Sequence, residues 1–309
     1  MTELIKKLAL SPEVSSALAK RRPVVALEST VLTHGLPWPQ NLAVFRKLEE
    51  IIVNEDVTPA TIIVLDGTAH IGVTESLIED ITPSLKKPGT FLKLGSRDLP
   101  LALSLGHSGG TTVSATMKLA SLAGIKVFAT GGIGGVHRGW EKVPDVSSDL
   151  TALASIPVMV VSSGCKAILD VPATLEYLET LAVPVLGWQT DSFPLFYTAE
   201  SELRIDRIDS VEGFSLLWKN HLELGGKGLL IANPIPEAES IPTPQIEAFI
   251  NSSLIEAKLK GSSGKALTPF LLDYLARATK GGSVKANLAL LRNNAQVAAE
   301  LAKALKQKG

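Results

Sequence analysis

The sequence is poor in cysteine and in aromatic residues, and neither sign of charge is in excess. Its one cysteine, Cys165, excludes an intrachain disulfide and is typical of a reducing compartment. Lys and Arg number 30 against 31 Asp and Glu, so a formal net charge of -1 gives no reason to expect nucleic-acid binding through a basic surface. Aromatic residues make up 5%, and the four tryptophans are too scattered to indicate a stacking platform for single strands.

Long apolar runs are also missing. No stretch approaches the roughly 18 residues that a membrane-spanning helix needs. The N-terminal segment MTELIKKLALSPEV mixes charged with apolar residues and lacks the continuous apolar core of a signal peptide. We therefore expect a cytoplasmic protein that binds neither nucleic acid nor membrane. With 309 residues, 45% of them hydrophobic, the chain can bury a sizeable core.

Short apolar runs alternate with segments of helical periodicity. Strands separated by helices predict a mainly parallel sheet covered on both faces. We expect one α/β/α layered domain, residues 1–309, with a helical C-terminal layer. Residues 70–73 and 90–94 are ambiguous and could form an antiparallel pair, and 106–110 are predicted to form a loop. Strands are predicted over 23–27, 60–65, 125–129, 157–162, 184–187 and 227–232, and helices over 5–20, 41–54, 111–123, 172–181, 211–224, 244–260, 269–279 and 284–306.

Polar and glycine residues follow two of these strands within the stretch Val127–Asp170. The first strand precedes the run Gly131–Gly135, His137 and Arg138, and the second precedes Lys166. Ligands of open α/β sheets bind at the carboxyl ends of the strands, so these groups are expected to converge. The glycine run fits neither a Walker nor a dinucleotide motif. Beside a histidine and an arginine it could present N–H groups to a phosphate, or it is a plain tight turn.

Two residues are candidates for acid–base or covalent chemistry. Lys166, just past an apolar strand, can become a neutral amine that attacks a carbonyl and forms a Schiff base; the alternative is a solvated lysine at a helix start. Glu28 ends the first strand and can act as a general acid; the alternative is a surface glutamate. Lys93 could neutralise a substrate phosphate. Cys165 could be a nucleophile, but a small packing residue is favoured.

Asp145 and Asp149 form a candidate cation site. If the segment is a helical turn, their spacing of four places both carboxylates on one face. Hard oxygen ligands suit Mg²⁺ or Mn²⁺, with water completing the coordination. The alternative is that Ser148 or Asp149 caps the helix that follows.

Nine segments resemble the pseudouridine-5′-phosphate glycosidase family, and so do the C-terminal TPFLL and KANLALL. The resemblance extends over nearly the whole chain and is dense. The nine segments are ALESTVLTHGLPWPQN at 26–41, DGTAHIGV at 66–73, KLGSRDL at 93–99, GTTVSATM at 110–117, TGGIGGVHRG at 130–139, DVSSDL at 145–150, SGCKAILD at 163–170, QTDSFPLFYT at 189–198 and NPIPE at 233–237.

The resemblance implies a reversible reaction in which pseudouridine 5′-phosphate and water give uracil and ribose 5-phosphate; the reverse direction is pseudouridylate synthesis, a hydro-lyase reaction. It also implies that Lys166 forms an imine with C1 of the opened ribose, and that Glu28 is the proton donor. The resemblance further implies that a Mn²⁺-type ion is held by Asp145 and mainly by solvent, and that the protein, like the family, forms homotrimers. Substrate contacts are implied for Lys93, Val113, Ser147, Ser148 and Asp149.

Two rival functions share the same lysine. A Schiff-base aldolase acting on a sugar phosphate would need no metal. A non-catalytic sugar-phosphate sensor would bind its ligand without turnover. The chain also departs from the family pattern at Cys165 and Ala167, which flank the lysine, and at the bulky Trp140 and Trp188. None of these departures removes an implied catalytic group.

Overall fold

The computed structural model describes residues 7–261 and 267–306. The start of the predicted helix over 5–20 and most of the GSSG segment at 261–264 lie outside the described residues. Within these ranges the strands are β1 Leu8–Leu10, β2 Val24–Glu28, β3 Thr58–Leu65, β4 Thr68–Ile71, β5 Leu92–Leu94, β6 Gly109–Thr111, β7 Val127–Ala129, β8 Val136–His137, β9 Met159–Ser162, β10 Leu169–Asp170, β11 Val185–Trp188, β12 Asp206–Ile208 and β13 Leu229–Ala232.

A mainly parallel sheet forms the centre of the fold, which confirms the predicted fold class. Its strands follow the order β1-β4-β3-β2-β7-β9-β13-β11-β12. All pairs from β3 through β2 to β12 are parallel, whereas β4 and β6 run antiparallel to β3. Every residue of β7, β9 and β13 is buried, as expected for strands covered on both faces. A separate antiparallel ribbon joins β8 to β10.

Helices cover both faces of this sheet. The long C-terminal helix, α11, packs across β2, β7 and β9 and against α2 and α8, so the predicted helical C-terminal layer is present. The helices are α1 Pro12–Ala19, α2 Gln40–Asn54, α3 Glu75–Leu85, α4 Leu99–Leu105, α5 Val113–Ala123, α6 Ser148–Ser155, α7 Val171–Thr180, α8 Val211–Glu223, α9 Thr243–Leu259, α10 Leu267–Ala278 and α11 Gly282–Lys306.

The predicted N-terminal helix over 5–20 is wrong in its first half. Leu8–Leu10 form an edge strand parallel to β4, and the helix begins only after Ser11. The Ser11 hydroxyl accepts a hydrogen bond from the Val14 amide at 3.2 Å, and Pro12 occupies the first turn, where its missing N–H is harmless. The apolar residues that suggested one amphipathic helix therefore belong to two elements.

The antiparallel pair suggested for 70–73 and 90–94 does not form. β4 pairs with β1 and β3, whereas β5 pairs in parallel with β6. β6 also replaces part of the loop predicted over 106–110, because Gly109 and Gly110 pair with Ile63 and Val64 of β3. Glycines at these positions leave room for the close approach of Leu94 and Thr33, whose side chains occupy the space of the missing Cβ atoms.

None of the helices over 7–261 and 267–306 combines the length and the apolar character needed to cross a membrane.

Candidate active site

Polar residues collect where four neighbouring parallel strands end. Glu28 is the last residue of β2, Thr130 follows β7, Ser163 follows β9 and Asn233 follows β13. Parallel hydrogen bonding continues past the strand ends, since the Thr130 amide donates to Val161 O and the Asn233 amide to Ser162 O. These side chains therefore lie along one edge of the sheet, where open α/β sheets bind their ligands.

Glu28 is held between two threonines. The hydroxyl of Thr30 donates to Glu28 Oε2 and that of Thr130 donates to Oε1. Thr30 lies in the turn after β2, whereas Thr130 directly follows the neighbouring strand β7, so the carboxyl group is fixed from two directions. Thr130 is buried and Glu28 is partly buried. The carboxyl group is thus oriented at the sheet edge while remaining partly accessible.

Asn294 of α11 connects three of these strand ends. Its Nδ2 donates to Thr130 O at 2.8 Å and approaches Ser163 Oγ at 3.2 Å, and its Oδ1 accepts from Asn233 Nδ2 at 2.9 Å. Asn294 is fully buried among apolar neighbours on the same helix. A buried amide of this kind is stable because its donor and acceptor groups are satisfied.

Lys166 lies on a loop that rests against the glycine run. Its amide donates to Ile133 O at 3.1 Å, and its carbonyl oxygen accepts from the Leu169 amide at 3.0 Å. The loop begins at Gly164, whose φ of +78° and close approach to Pro194 O admit no side chain. Lys166 is partly buried, and in the part of the chain that the structure describes its amine has no hydrogen bond or ion pair. The amine is available to a ligand.

Cys165 is a packing residue. It is completely buried, and burial raises the pKa of its thiol to about 12. A thiol that stays protonated is a poor nucleophile. This agrees with the interpretation favoured from the sequence and leaves Lys166 as the candidate nucleophile of this loop.

Asp149 connects the start of α5 to the glycine run. Its Oδ1 accepts from the Ser114 amide at 2.9 Å and its Oδ2 from the Gly134 amide at 2.8 Å. Asp149 is buried, so both oxygens are committed to backbone N–H groups. The shared helical face suggested for Asp145 and Asp149 is wrong, because α6 begins at Ser148 and Ser147 is its N-cap. The alternative, a cap at Ser148 or Asp149, is also wrong in its residue, because the Ser147 hydroxyl caps the helix by accepting from the Asp149 amide at 3.2 Å.

Asp145 remains open to solvent. Its side chain is 50% exposed, and Oδ2 lies 4.0 Å from His137 Nε2. Its carbonyl oxygen accepts from the His137 amide at 2.9 Å, which fixes the backbone. Among the residues that the structure describes, no group of three or more His, Cys, Asp or Glu could hold a metal ion. A cation at Asp145 would therefore take most of its ligands from water, a coordination that Mg²⁺-like ions accept.

The remaining implied substrate residues surround the start of α5. Val113 is its first residue, and the next, Ser114, has its hydroxyl 3.1 Å from the Ser148 hydroxyl and 3.1 Å from the Ser96 amide. Lys93 lies in β5, which pairs in parallel with β6 just before α5, and burial together with the Lys93 charge lowers the pKa of His34. These segments form a polar wall next to the strand ends.

Arg138 does not present its guanidinium to this space. It donates to both carboxylate oxygens of Glu247 and to the carbonyl oxygens of Ala167 and Leu169. The suggested contribution of Arg138 to phosphate binding is therefore unsupported, because protein groups occupy four of its five N–H donors.

Sequence reasoning missed Thr130 and Asn294. Thr130 directly follows an apolar strand, the same signal that identified Glu28. Asn294 is a polar residue on an otherwise apolar helical face with Leu290, Leu291 and Ala298. An unexpected amide at helical spacing on a buried face is the signal that could have found it.

The fold and the site together define an α/β protein with an amine, a carboxyl group and hydroxyl groups at the sheet edge. The chain matches the family described as indigoidine synthase A like protein over residues 13–304. It is 52% identical over 296 residues to the pseudouridine-5′-phosphate glycosidase of Caldanaerobacter subterraneus subsp. tengcongensis, covering 95% of each chain. It is 48% identical to that of Methylobacterium nodulans, covering 97% of this chain and 88% of the relative.

Solved structures agree. The prealnumycin C-glycosynthase AlnA in complex with ribulose 5-phosphate superposes with a TM-score of 0.89 at 37% identity, over 97% of both chains. An indigoidine synthase A (IdgA)-like protein from Thermotoga maritima superposes with a TM-score of 0.87 at 38% identity, also over 97% of both chains. The chain belongs to the pseudouridine-5′-phosphate glycosidase family.

Proposed function

We propose that this protein reversibly cleaves the C–C glycosidic bond of pseudouridine 5′-phosphate to give uracil and ribose 5-phosphate. The relatives named above support the reaction, and the solved C-glycosynthase supports C–C bond chemistry with a pentose phosphate on this fold. The observation that carries the proposal is the accessible amine of Lys166 on a fixed loop at the sheet edge that also holds Glu28.

The chemistry explains why a lysine is needed. A C–C bond offers no leaving-group oxygen or nitrogen for an ordinary pair of glycosidase carboxyl groups to protonate. The Lys166 nitrogen bonds C1, the bond from C1 to the ring oxygen breaks, and Glu28 delivers the proton that the ring oxygen takes up. The alkylated nitrogen then returns a proton to the Glu28 carboxylate, and its lone pair forms the C=N bond as the bond from C1 to uracil C5 breaks.

Product release completes the balance. The electron pair of the broken bond stays on uracil C5, which takes up a proton, and water hydrolyses the imine to free Lys166 and ribose 5-phosphate. The Thr30 and Thr130 hydroxyls orient the Glu28 carboxyl group throughout. Because a proton donor must be held within hydrogen-bond reach of its acceptor, this orientation is part of the mechanism.

Substrate recognition is assigned to the polar wall around α5. Lys93 supplies a positive charge for the phosphate, and Val113 supplies an apolar surface at the helix start. Ser147 and Ser148 supply hydroxyl groups. Asp149 acts through the backbone it holds at Ser114 and Gly134.

The proposed cofactor is one Mn²⁺ ion per subunit. The donor set fits a largely hydrated ion, because Asp145 is exposed and Asp149 is already committed. When bound, the ion supplies Lewis-acid polarisation of an oxygen atom. Asp145 holds the ion, and the His137 backbone holds Asp145.

We further propose a cytoplasmic homotrimer. A doubly charged substrate phosphate does not cross a lipid bilayer unaided, so the reaction belongs where nucleotides are made and used. Large apolar side chains remain exposed on α4, at Leu101 and Leu105, and such surface is often buried in assemblies. Light scattering should then report three times the 32.7 kDa chain mass.

The test is turnover of pseudouridine 5′-phosphate, followed by chromatographic detection of uracil. Wild-type protein with Mn²⁺ should release uracil and ribose 5-phosphate in equal amounts, whereas Lys166→Ala should bind the substrate without releasing either. Conversion of a sugar phosphate that survives a chelator and does not involve uracil would favour the aldolase. Binding without turnover in the wild type would favour the sensor.

A further inference from the structure

The Arg138 guanidinium joins the loop that carries Lys166 to the carboxylate of Glu247. Its Nη1 and Nη2 donate to Glu247 Oε2 and Oε1 at 2.9 and 2.8 Å. Nη2 also donates to Ala167 O, and Nε donates to Leu169 O, each at 3.2 Å. Four of the five N–H groups of a guanidinium are thereby used within the protein.

These contacts act on the backbone next to Lys166. The Lys166 amide is held by Ile133 O, and Leu169 pairs with His137 through the β8–β10 ribbon. Arg138 adds hydrogen bonds to the carbonyl oxygens of residues 167 and 169, on the C-terminal side of the lysine. The backbone of the loop is therefore held both at the lysine and after it. The groups that hold it belong to the glycine run and the residues that follow that run, rather than to β9, the strand that leads into the loop.

Glu247 orients the guanidinium of Arg138. It lies on α9 in the C-terminal layer, far along the sequence from both β8 and the loop. The bidentate pair is partly shielded, with side chains of Arg138 and Glu247 27% and 38% exposed. A bidentate carboxylate fixes the plane of the guanidinium, so that Nε and Nη2 point at the two carbonyl oxygens.

We propose that the Arg138–Glu247 pair is a positioning device for Lys166, setting the approach of its amine to C1 of the sugar. The inference rests on the proposed function, because it assigns the pair to the formation of the imine. Attack requires the reacting atoms to be about 3–3.5 Å apart, and a misplacement of about 1 Å can lower a rate on the order of 100-fold. Lysine cannot replace Arg138, since a single ammonium lacks the planar fork.

The experiment measures two quantities on the full-length protein with ribose 5-phosphate. One is the dissociation constant from calorimetry without reductant. The other is the rate constant at which the borohydride-reduced adduct accumulates at saturating ribose 5-phosphate, with intact mass spectrometry as the detection method. Arg138→Lys should trap at least ~10-fold more slowly while its dissociation constant changes less than ~3-fold. Glu247→Gln should show the same pattern with a smaller loss.

A second bidentate pair provides the matched control. Arg46 Nε and Nη2 donate to Glu75 Oε1 and Oε2 at 3.2 and 2.7 Å on the exposed surface of α2. Arg46→Lys makes the same chemical change and should leave the trapping rate at the wild-type value. A general loss of stability would instead reduce the folded fraction without changing the trapping rate per folded molecule.

The outcomes separate the two proposals. Absence of a trapped adduct in the wild type would contradict the imine chemistry, and the positioning proposal would fall with it. A normal adduct in the wild type with unchanged trapping in both variants would contradict the positioning role alone. So would parallel losses in affinity and trapping, because they would mean that Arg138 binds the sugar phosphate. If Arg138→Lys does not fold, Glu247→Gln decides the same question.

Discussion

The side-chain amide of Asn294 donates to the main-chain oxygen of Thr130 at 2.8 Å, and the Thr130 hydroxyl donates to Glu28. A residue of the C-terminal helix is thus two hydrogen bonds from the proposed proton donor. The same amide also joins Ser163 and Asn233. The C-terminal helix therefore does more than cover the sheet, because it fixes the relative positions of three strand ends.

Replacing Asn294 should affect both stability and turnover. Asn294→Leu leaves the Asn233 amide and Thr130 O without their buried partner, so the free energy of unfolding should fall by about 2–4 kcal/mol. The turnover number should fall by about 10-fold, because Thr130 no longer holds Glu28 in place. Denaturant unfolding and uracil release measure the two effects.

The neighbouring asparagine is the control. Within the described residues, the Asn293 side chain donates one hydrogen bond, from Nδ2 to Pro234 O at 2.9 Å, and has none to Thr130, Ser163 or Asn233. Asn293→Leu should cost about 1 kcal/mol and leave turnover within about two-fold of the wild type. Equal effects of the two substitutions would contradict the role assigned to Asn294.

Glu49 makes stability depend on pH. Burial raises the pKa of its carboxyl group to about 7, outweighing the hydrogen bond from Thr61 Oγ1. The folded state keeps a proton that the unfolded chain releases near pH 4.5, the ordinary value for this group. The Glu49 contribution to stability is therefore complete below about pH 4.5, declines as pH rises to about 7 and is lost above that pH.

The substitution Glu49→Gln should remove this dependence. At pH 8 the variant should be more stable than the wild type by about 2–3 kcal/mol, whereas at pH 4 the two should agree. Glu50→Gln, on the exposed side of the same helix, breaks only a surface pair with Lys47 and should change stability by less than about 1 kcal/mol. Denaturant midpoints across pH provide the measurement, and a parallel pH profile for wild type and Glu49→Gln would refute the assignment.

Cys165 should be chemically inert despite its place beside Lys166. Because burial keeps the thiol protonated, a thiol-specific reagent should label the native protein much more slowly than the denatured protein. As this is the one cysteine of the chain, labelling counted by mass spectrometry is unambiguous. Cys165→Ala should keep turnover within about three-fold while losing roughly 1 kcal/mol of stability through the small cavity. Abolished turnover in a folded Cys165→Ala would show that the thiol takes part in the reaction.

The two aspartates should separate in their response to metal. Asp145→Asn should weaken Mn²⁺ binding by at least ~10-fold, since a ligating carboxylate is lost. Asp149→Asn should keep Mn²⁺ binding but lower the free energy of unfolding by about 1–3 kcal/mol, because an amide cannot accept from both the Ser114 and Gly134 backbone groups. Calorimetric Mn²⁺ titration distinguishes them, and the reverse pattern would assign the ion to Asp149.

The elements that depend on local sequence pattern were predicted correctly from the sequence. The buried strands β2, β7, β9 and β13 are apolar runs bounded by polar or glycine residues, and their ends carry Glu28 and the Lys166 loop as expected. β1 could not be recognised in this way, because Leu8–Leu10 become a strand only by pairing with β4 some sixty residues later. Local apolar spacing there fits a helix equally well.

Partners distant in the chain were also beyond local reasoning. Arg138 was interpreted with the glycine run beside it, but its carboxylate partner is Glu247 on α9. Asp149 was paired with Asp145 by spacing, but its hydrogen bonds go to Ser114 and Gly134. In each case the residue type indicated a polar role, and only the tertiary fold determined which groups it satisfies.

The most direct test of the account is to identify the residue that forms the adduct. Protein incubated with ribose 5-phosphate and borohydride is digested, and the peptides are sequenced by mass spectrometry. We predict one pentose-phosphate adduct, located on Lys166 and absent from Lys166→Ala. An adduct on Lys93 instead, or none in a protein that demonstrably binds ribose 5-phosphate, would contradict the covalent role of Lys166.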